Sequence, residues 1–189
     1  MTTVSAWSEV QLAVGGALRL AVGDRRALGV FDASIDGFWR SFRAGVICYP
    51  LYLLLLSFRV AAAQWQASGV PTILVVGTIA FVISWVAFPL LILPLARWLD
   101  REHRFLAYMV VYNWSQIPQT GLFVLVAATA LLPQSAAQSA GLLAVVAALV
   151  YGWYIARVAL AITGVQATLV VVVDLVLGTV LGRVAESLY

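Results

Sequence analysis

Five long apolar stretches, separated by loops of only a few residues, dominate this chain and fix the solvent it must fold in. They cover about 44–64, 70–97, 105–132, 137–162 and 165–185. A helix rises about 1.5 Å per residue, and roughly 20 residues cross a hydrocarbon core of about 30 Å, so each stretch is long enough to span. The second and third are long enough to tilt or project beyond it. Charged residues make up only 10% of the chain and hydrophobic ones 63%, whereas a soluble domain carries about a quarter charged residues. The 189 residues therefore hold one membrane domain and no sizeable soluble module. The expected fold is all-α, a bundle of five transmembrane helices over 44–189 behind an N-terminal segment over 1–43. Five spans cannot divide into two equal inverted halves, which counts against repeat-built transporter plans. Pro89 and Pro94 bracket PLLILP, and the pair is expected to break the second span into a span plus an interfacial turn.

Residues 7–23 predict an amphipathic helix. Trp7, Val10, Val14, Ala17, Leu18 and Ala21 share one face, and Ser8, Glu9, Gly15, Gly16 and Arg19 the other. Such a helix either lies in the membrane interface with Trp7 as its anchor or packs on the protein's own spans. Residues 24–43 form an amphipathic junction at headgroup level, where Phe38, Trp39 and Phe42 are the expected interfacial anchors. MTTVSAWSEVQL has no positive region followed by an apolar core, so membrane targeting is expected to come from the first span.

The net charge of +3 rests on eleven arginines, no lysine and eight acidic residues. Arg19, Arg25, Arg26, Arg40, Arg43, Arg97, Arg101, Arg104 and Arg157 fall on one side of the predicted bundle, Arg59 and Arg183 on the other. The arginine-rich side is expected to be cytoplasmic, with the N-terminus inside and the C-terminus outside. These arginines flank apolar spans and form no stripe on a soluble fold, so nucleic acid is not an expected partner.

The spans carry few polar groups, and those few are informative. Asp174 sits in VVVDLVLG within the fifth span. A carboxylate in hydrocarbon is costly and should face protein or water with a partner. Arg157, one span earlier, is the expected partner across the turn near Thr163 and Gly164, with Tyr151 and Tyr154 as alternatives. Such a contact either fixes the hairpin or marks a proton, cation or partner-subunit site. YNWSQIPQTG in the third span brings Asn113, Gln116 and Gln119 close to Pro118, either as interhelical glue or as the lining of a polar cavity. Gly178 and Gly182 form a GxxxG pair that permits close helix approach, for internal packing or for dimerisation.

Several function classes are excluded. Cys48 is the only cysteine and His103 the only histidine, so a His/Cys zinc site and a bis-histidine haem are out of reach. No nucleotide-binding, zinc-protease or serine-hydrolase motif is present, and no cofactor is expected.

The stretches RFLAYMVVYNWSQIP and YGWYIARVALAITGVQATLVVVVDLVLGTVL carry a family resemblance. In the first, a span opens with an aromatic-rich run and reaches a proline. In the second, a tyrosine-rich span turns sharply into a valine-rich last span. Over about residues 40–185 the chain resembles the Yip (Ypt-interacting protein) type of five-span membrane protein. Eukaryotic members act with Rab GTPases largely through longer N-terminal regions, a role not carried over to this bacterial-looking chain. The resemblance implies a five-helix membrane domain that binds partners or lipids, and no catalytic residue. The expected function is a non-catalytic accessory or scaffold subunit of the bacterial inner membrane, packing against lipids, another membrane protein or a second copy. The rival is a small transporter or channel built around Asp174, Arg157, Asn113, Gln116 and Gln119. A lipid-handling enzyme using Asp100, Glu102 and His103 is a third possibility.

Overall fold

A computed structural model describes residues 6–131 and 133–189. Residues 1–5 of the N-terminal segment and Leu132, the last residue of the predicted third span, lie outside the described residues. Every regular element among the described residues is helical. The elements are α1 (Ala6–Ala21), α2 (Ile35–Ser41), α3 (Arg43–Arg59), α4 (Ala62–Ser68), α5 (Val70–Trp98), α6 (Phe105–Ala127), α7 (Gln134–Ala159) and α8 (Gly164–Glu186). Short 3₁₀ segments join them at Arg25–Val30, Glu102–Arg104 and Ala128–Leu131.

Four runs are long and apolar enough to cross a membrane: Ile35–Arg59, Val70–Trp98, Gln134–Ala159 and Gly164–Glu186. The sequence predicts five, and the correction falls on 105–132. The 23 residues of α6 suffice in length, but Asn113, Ser115, Gln116, Gln119 and Thr120 dilute its apolar character. Position in the bundle explains why the fold accepts this. Tyr108, Met109, Val110, Val111, Asn113, Trp114 and Ser115 are buried, and α6 packs against α1, α2, α3, α5 and α7. A helix walled in by other helices needs no lipid-compatible surface of its own.

Two boundaries also shift. The first apolar run begins at Ile35 because Ser34 caps α2, its Oγ accepting from the Gly37 N–H at 3.0 Å, and α2 continues through Phe42 into α3. The division at residue 43 therefore falls inside one helical run. α5 passes unbroken through Pro89 and Pro94 to Trp98, in place of the expected interfacial turn. Pro89 is buried beside Phe88 and Ile92 of the core, and this packing holds the helix across the lost backbone hydrogen bond.

The connections fall at two ends of the bundle. At one end Tyr154 Oη donates to the Gly23 carbonyl at 2.7 Å and Arg101 Nε to the Ala161 carbonyl at 3.2 Å. At the other, Arg59 of α3 pairs with Glu186 of α8 at 3.2 Å.

α1 divides its two expected roles between two faces. Ala13, Gly16, Ala17 and Leu20 are buried, and Tyr151 Oη donates to the Ala17 carbonyl at 2.6 Å. A Cβ at Gly16 would come within 3.0 Å of the Phe31 ring, so glycine there sets the close approach. Trp7, Leu18 and Val22 form the opposite row and remain 68%, 52% and 84% exposed, an outward apolar stripe suited to the membrane interface. Gly16 thus leaves the predicted polar face, and Ala17 leaves the face of Trp7, because small residues let α1 dock closely.

Among the predicted anchors, Trp7 and Trp39 face outward, whereas Phe38 and Phe42 are partly buried. Phe38 meets Trp39 and Phe42 edge-on, with ring centroids 5.2 and 5.3 Å away. Phe42 in turn reaches Trp85 at 6.3 Å.

Ion pairs tie the N-terminal segment down. Glu9 accepts from Arg40 Nε and Arg43 Nη1, each at 2.9 Å. Arg40 also pairs with Asp32, and Arg19 with Asp24. The Arg19 hydrogen bond holds the Asp24 carboxyl below the usual carboxylate range. Hydrogen bonds from Ser34, helped by the Arg40 charge, do the same for Asp32. Both groups are depressed in the folded state. Their stabilisation is therefore complete above the unfolded carboxyl value of about 4 and is lost as pH falls through the folded values. Amide exchange in residues 6–41, corrected for intrinsic rates, is expected to accelerate below pH of about 4 while α5 and α8 stay protected. Uniform protection at low pH would contradict it.

Candidate intramembrane crevice

α8 starts on a capping box, with Thr163 Oγ1 accepting from the Gln166 N–H at 3.3 Å and Gln166 Oε1 accepting from the Thr163 N–H at 2.9 Å. Its first half is anchored by buried Ala167 and Val170. Farther along, its surface opens locally at two glycines, since nothing lies within 4 Å of where a Cβ would sit on Gly178 or Gly182, while Leu177 packs on the core and Ala185 is buried. Internal packing on this GxxxG seam, one of the two roles the sequence suggests, is therefore not made. The glycines open a crevice.

Three cavities meet at Gly178. One, of about 530 Å³, lies among α3, α5, α6 and α8 and is walled by Tyr52, Phe81, Trp85 and Phe123 with Gln116 and Thr120. A second, of about 610 Å³, runs between α7 and α8 past Gln119, Ala148, Gly152, Asp174 and Thr179. A small one, of about 80 Å³, touches both Trp85 and Asp174 and is bordered by Ser84, Tyr112 and Gln116. Arg59 and Glu186 border both large cavities, and their exposed ion pair marks the outer mouth.

Asp174 sits where two of these cavities adjoin. Its Oδ1 accepts from Tyr112 Oη at 2.8 Å. Among the described residues, no sealed side-chain oxygen or nitrogen lacks a partner, and Oδ2 accepts no hydrogen bond, so this oxygen faces open crevice.

The predicted partner is corrected. Arg157 is exposed, stacks its guanidinium 5.2 Å from the Trp153 ring and forms no salt bridge among the described residues. Val145, Ala148, Leu149 and Gly152 are the α7 residues that border the Asp174 cavity, and Arg157 lies five positions beyond Gly152, about 140° around the helix. Depth along the hairpin permits the pair, but the faces do not. Tyr151 and Tyr154 are not partners either, since their hydroxyls hold the Ala17 and Gly23 carbonyls.

The α6 polar group divides. Asn113 Nδ2 donates to Ser41 Oγ at 2.8 Å, and Ser41 Oγ donates to the Phe38 carbonyl at 2.6 Å. This buried chain joins α6 to α2 and is interhelical glue. Gln116 and Gln119 line the cavities, with Gln119 Nε2 donating to the Ser115 carbonyl at 3.3 Å. Tyr112, the aromatic wall of Tyr52, Phe81 and Trp85, and the Arg59–Glu186 mouth escape the sequence reading. Tyr112 directly precedes Asn113 in the polar group and is one helical turn from Gln116, so it had a signal. The aromatic wall had none beyond composition. At the opposite end, Glu102 accepts from Arg97 Nε at 2.8 Å while Asp100 and His103 are exposed, as in an ordinary charged loop.

No family model, curated protein or solved structure matches the chain.

Proposed function

We propose that this chain is a small, non-enzymatic transport protein of the bacterial inner membrane that takes a solute into the crevice beside Asp174. In this reading α6 is a fifth crossing, shielded by its neighbours. The arginine-rich end faces the cytoplasm, and the Arg59–Glu186 mouth opens outward. The observation that carries it is Asp174 itself, an intramembrane carboxylate with a tyrosine for a partner, no counter-ion among the described residues, and one oxygen turned to open space. Carboxylates placed so within membranes mark solute, proton and partner contacts. From the Yip-type resemblance the proposal keeps only the five-helix plan.

The accessory-subunit reading has one specific support. The apolar window of α8 is only 11% buried, which leaves a surface that either lipid or a neighbouring helix covers. Reconstituted vesicles separate the two. Driven by a proton or cation gradient, wild-type vesicles should show flux, and Asp174→Asn at equal insertion should abolish it. Equal flux in both would remove the transport reading. A stoichiometric partner in native membranes, with no flux, would establish the accessory role.

A further inference from the structure

We infer that the crevice takes an organic cation clad in apolar groups, its charge drawn to Asp174 and its apolar surface set against the aromatic chamber. This inference rests on reading the crevice as a solute site.

Charge selects the sign. The free oxygen of Asp174 is an acceptor in a region of low dielectric, where a second anion would be repelled and a cation is held. Arg59, the cationic group bordering both large cavities, is matched by Glu186 at 3.2 Å. Arg183 borders the Asp174 cavity toward the outer end and is exposed. Among the described residues, no arginine other than Arg59 lines the aromatic chamber.

The chamber selects the body. Tyr52 and Phe81 have ring centroids 4.9 Å apart, and Phe81 and Trp85 5.9 Å. Tyr52 is held by a hydrogen bond from its hydroxyl to the Gly77 carbonyl at 3.0 Å. Fixed aromatic faces attract cations through the ring quadrupole and bury apolar surface. A chamber of about 530 Å³ falls within the range of pockets that hold drug-sized molecules. A bare metal ion is a poor fit, because hard cations take six or more oxygen ligands, and beside Asp174 the crevice offers amides and hydroxyls, its other carboxylate, Glu186, being paired with Arg59 at the mouth. The small cavity that touches both Trp85 and Asp174 lets one molecule reach both.

The test uses the full chain in detergent, titrated with tetraphenylphosphonium and with tetraphenylborate, an anion of matched shape. Saturable tetraphenylphosphonium binding by calorimetry is expected. It should weaken about tenfold or more in Asp174→Asn and about threefold or more in Trp85→Leu, and stay unchanged in Trp39→Leu. Saturable tetraphenylborate binding at similar affinity, or undiminished cation binding by Asp174→Asn, overturns the inference. Should Asp174→Asn fail to fold, Trp85→Leu decides, and undiminished binding there overturns the chamber. Asp174-dependent proton or inorganic-cation flux without cation binding would sink the ligand class and leave the transport reading standing. Binding as expected without flux would support the site and remove transport.

Discussion

Gly178→Leu is expected to stop transport in reconstituted vesicles while raising the melting temperature of the purified protein. The two effects have opposite signs because the glycine faces open space. An added Cβ meets nothing within 4 Å, so the folded state accepts a side chain without displacing a neighbour. Replacing glycine inside a helix by leucine gains up to about 1 kcal/mol of propensity, or about 2–4 °C for a chain of this size. The new side chain, however, enters the place where the three cavities meet and separates Asp174 from the aromatic chamber. Flux should fall to background at normal membrane insertion. A lower melting temperature with flux intact would show that the seam serves packing. Loss of a crosslinked dimer with flux intact would show that it serves self-association.

The fold class and most helix positions were legible in the sequence because the hydrocarbon requirement is blunt: about 20 apolar residues, or no span. Length alone places 105–132 among the spans, whereas four runs, α6 not among them, are both long and apolar enough to cross. Of the polar residues that lower the hydropathy of α6, Asn113 and Ser115 are covered by its neighbours, Asn113 on Ser41, while Gln116, Gln119 and Thr120 line the crevice. The Pro89 and Pro94 error has a similar root. Local chemistry predicts a break, and packing around Phe88 and Ile92 prevents it. At the site, Asp174 was legible from the cost of burying charge, but its partner was not. Sequence distance sets depth along a hairpin, whereas partnership also depends on the facing direction. Arg157 fails there, and Tyr112, 62 positions from Asp174 in the chain, succeeds. The GxxxG pair shows the limit of a motif. Glycine permits close approach, and here the same absence of side chains leaves a void.

Gly37→Ala should be the most damaging single-methyl change in the N-terminal half. The added Cβ would lie 1.9 Å from the Asp32 carbonyl oxygen and 2.8 Å from the Asp32 Cγ, a backbone overlap that no side-chain rotation relieves. The Asp32 turn must therefore move. Asp32 Oδ1 accepts from the Ser34 N–H at 3.0 Å, and its other oxygen pairs with Arg40. Arg40 is shared with Glu9 of α1, so displacing the turn also loosens the contact between α1 and the start of the first span. Overpacking of a tight site costs roughly 3 kcal/mol or somewhat more, and a shift of that size lowers the melting temperature by about 6–12 °C. The same segment supplies a control. Gly15 also lies in a helix, but a Cβ there meets nothing within 4 Å, so Gly15→Ala should gain up to about 1 kcal/mol from helix propensity alone. Thermal unfolding in one detergent, with trypsin cleavage after Arg25 and Arg26 as a local readout, distinguishes them. Gly37→Ala should melt early and expose that cleavage site, while Gly15→Ala should do neither. Equal melting of Gly37→Ala and wild type would mean that the Asp32 turn yields freely and that its ion pairs do not fix α1 to the bundle.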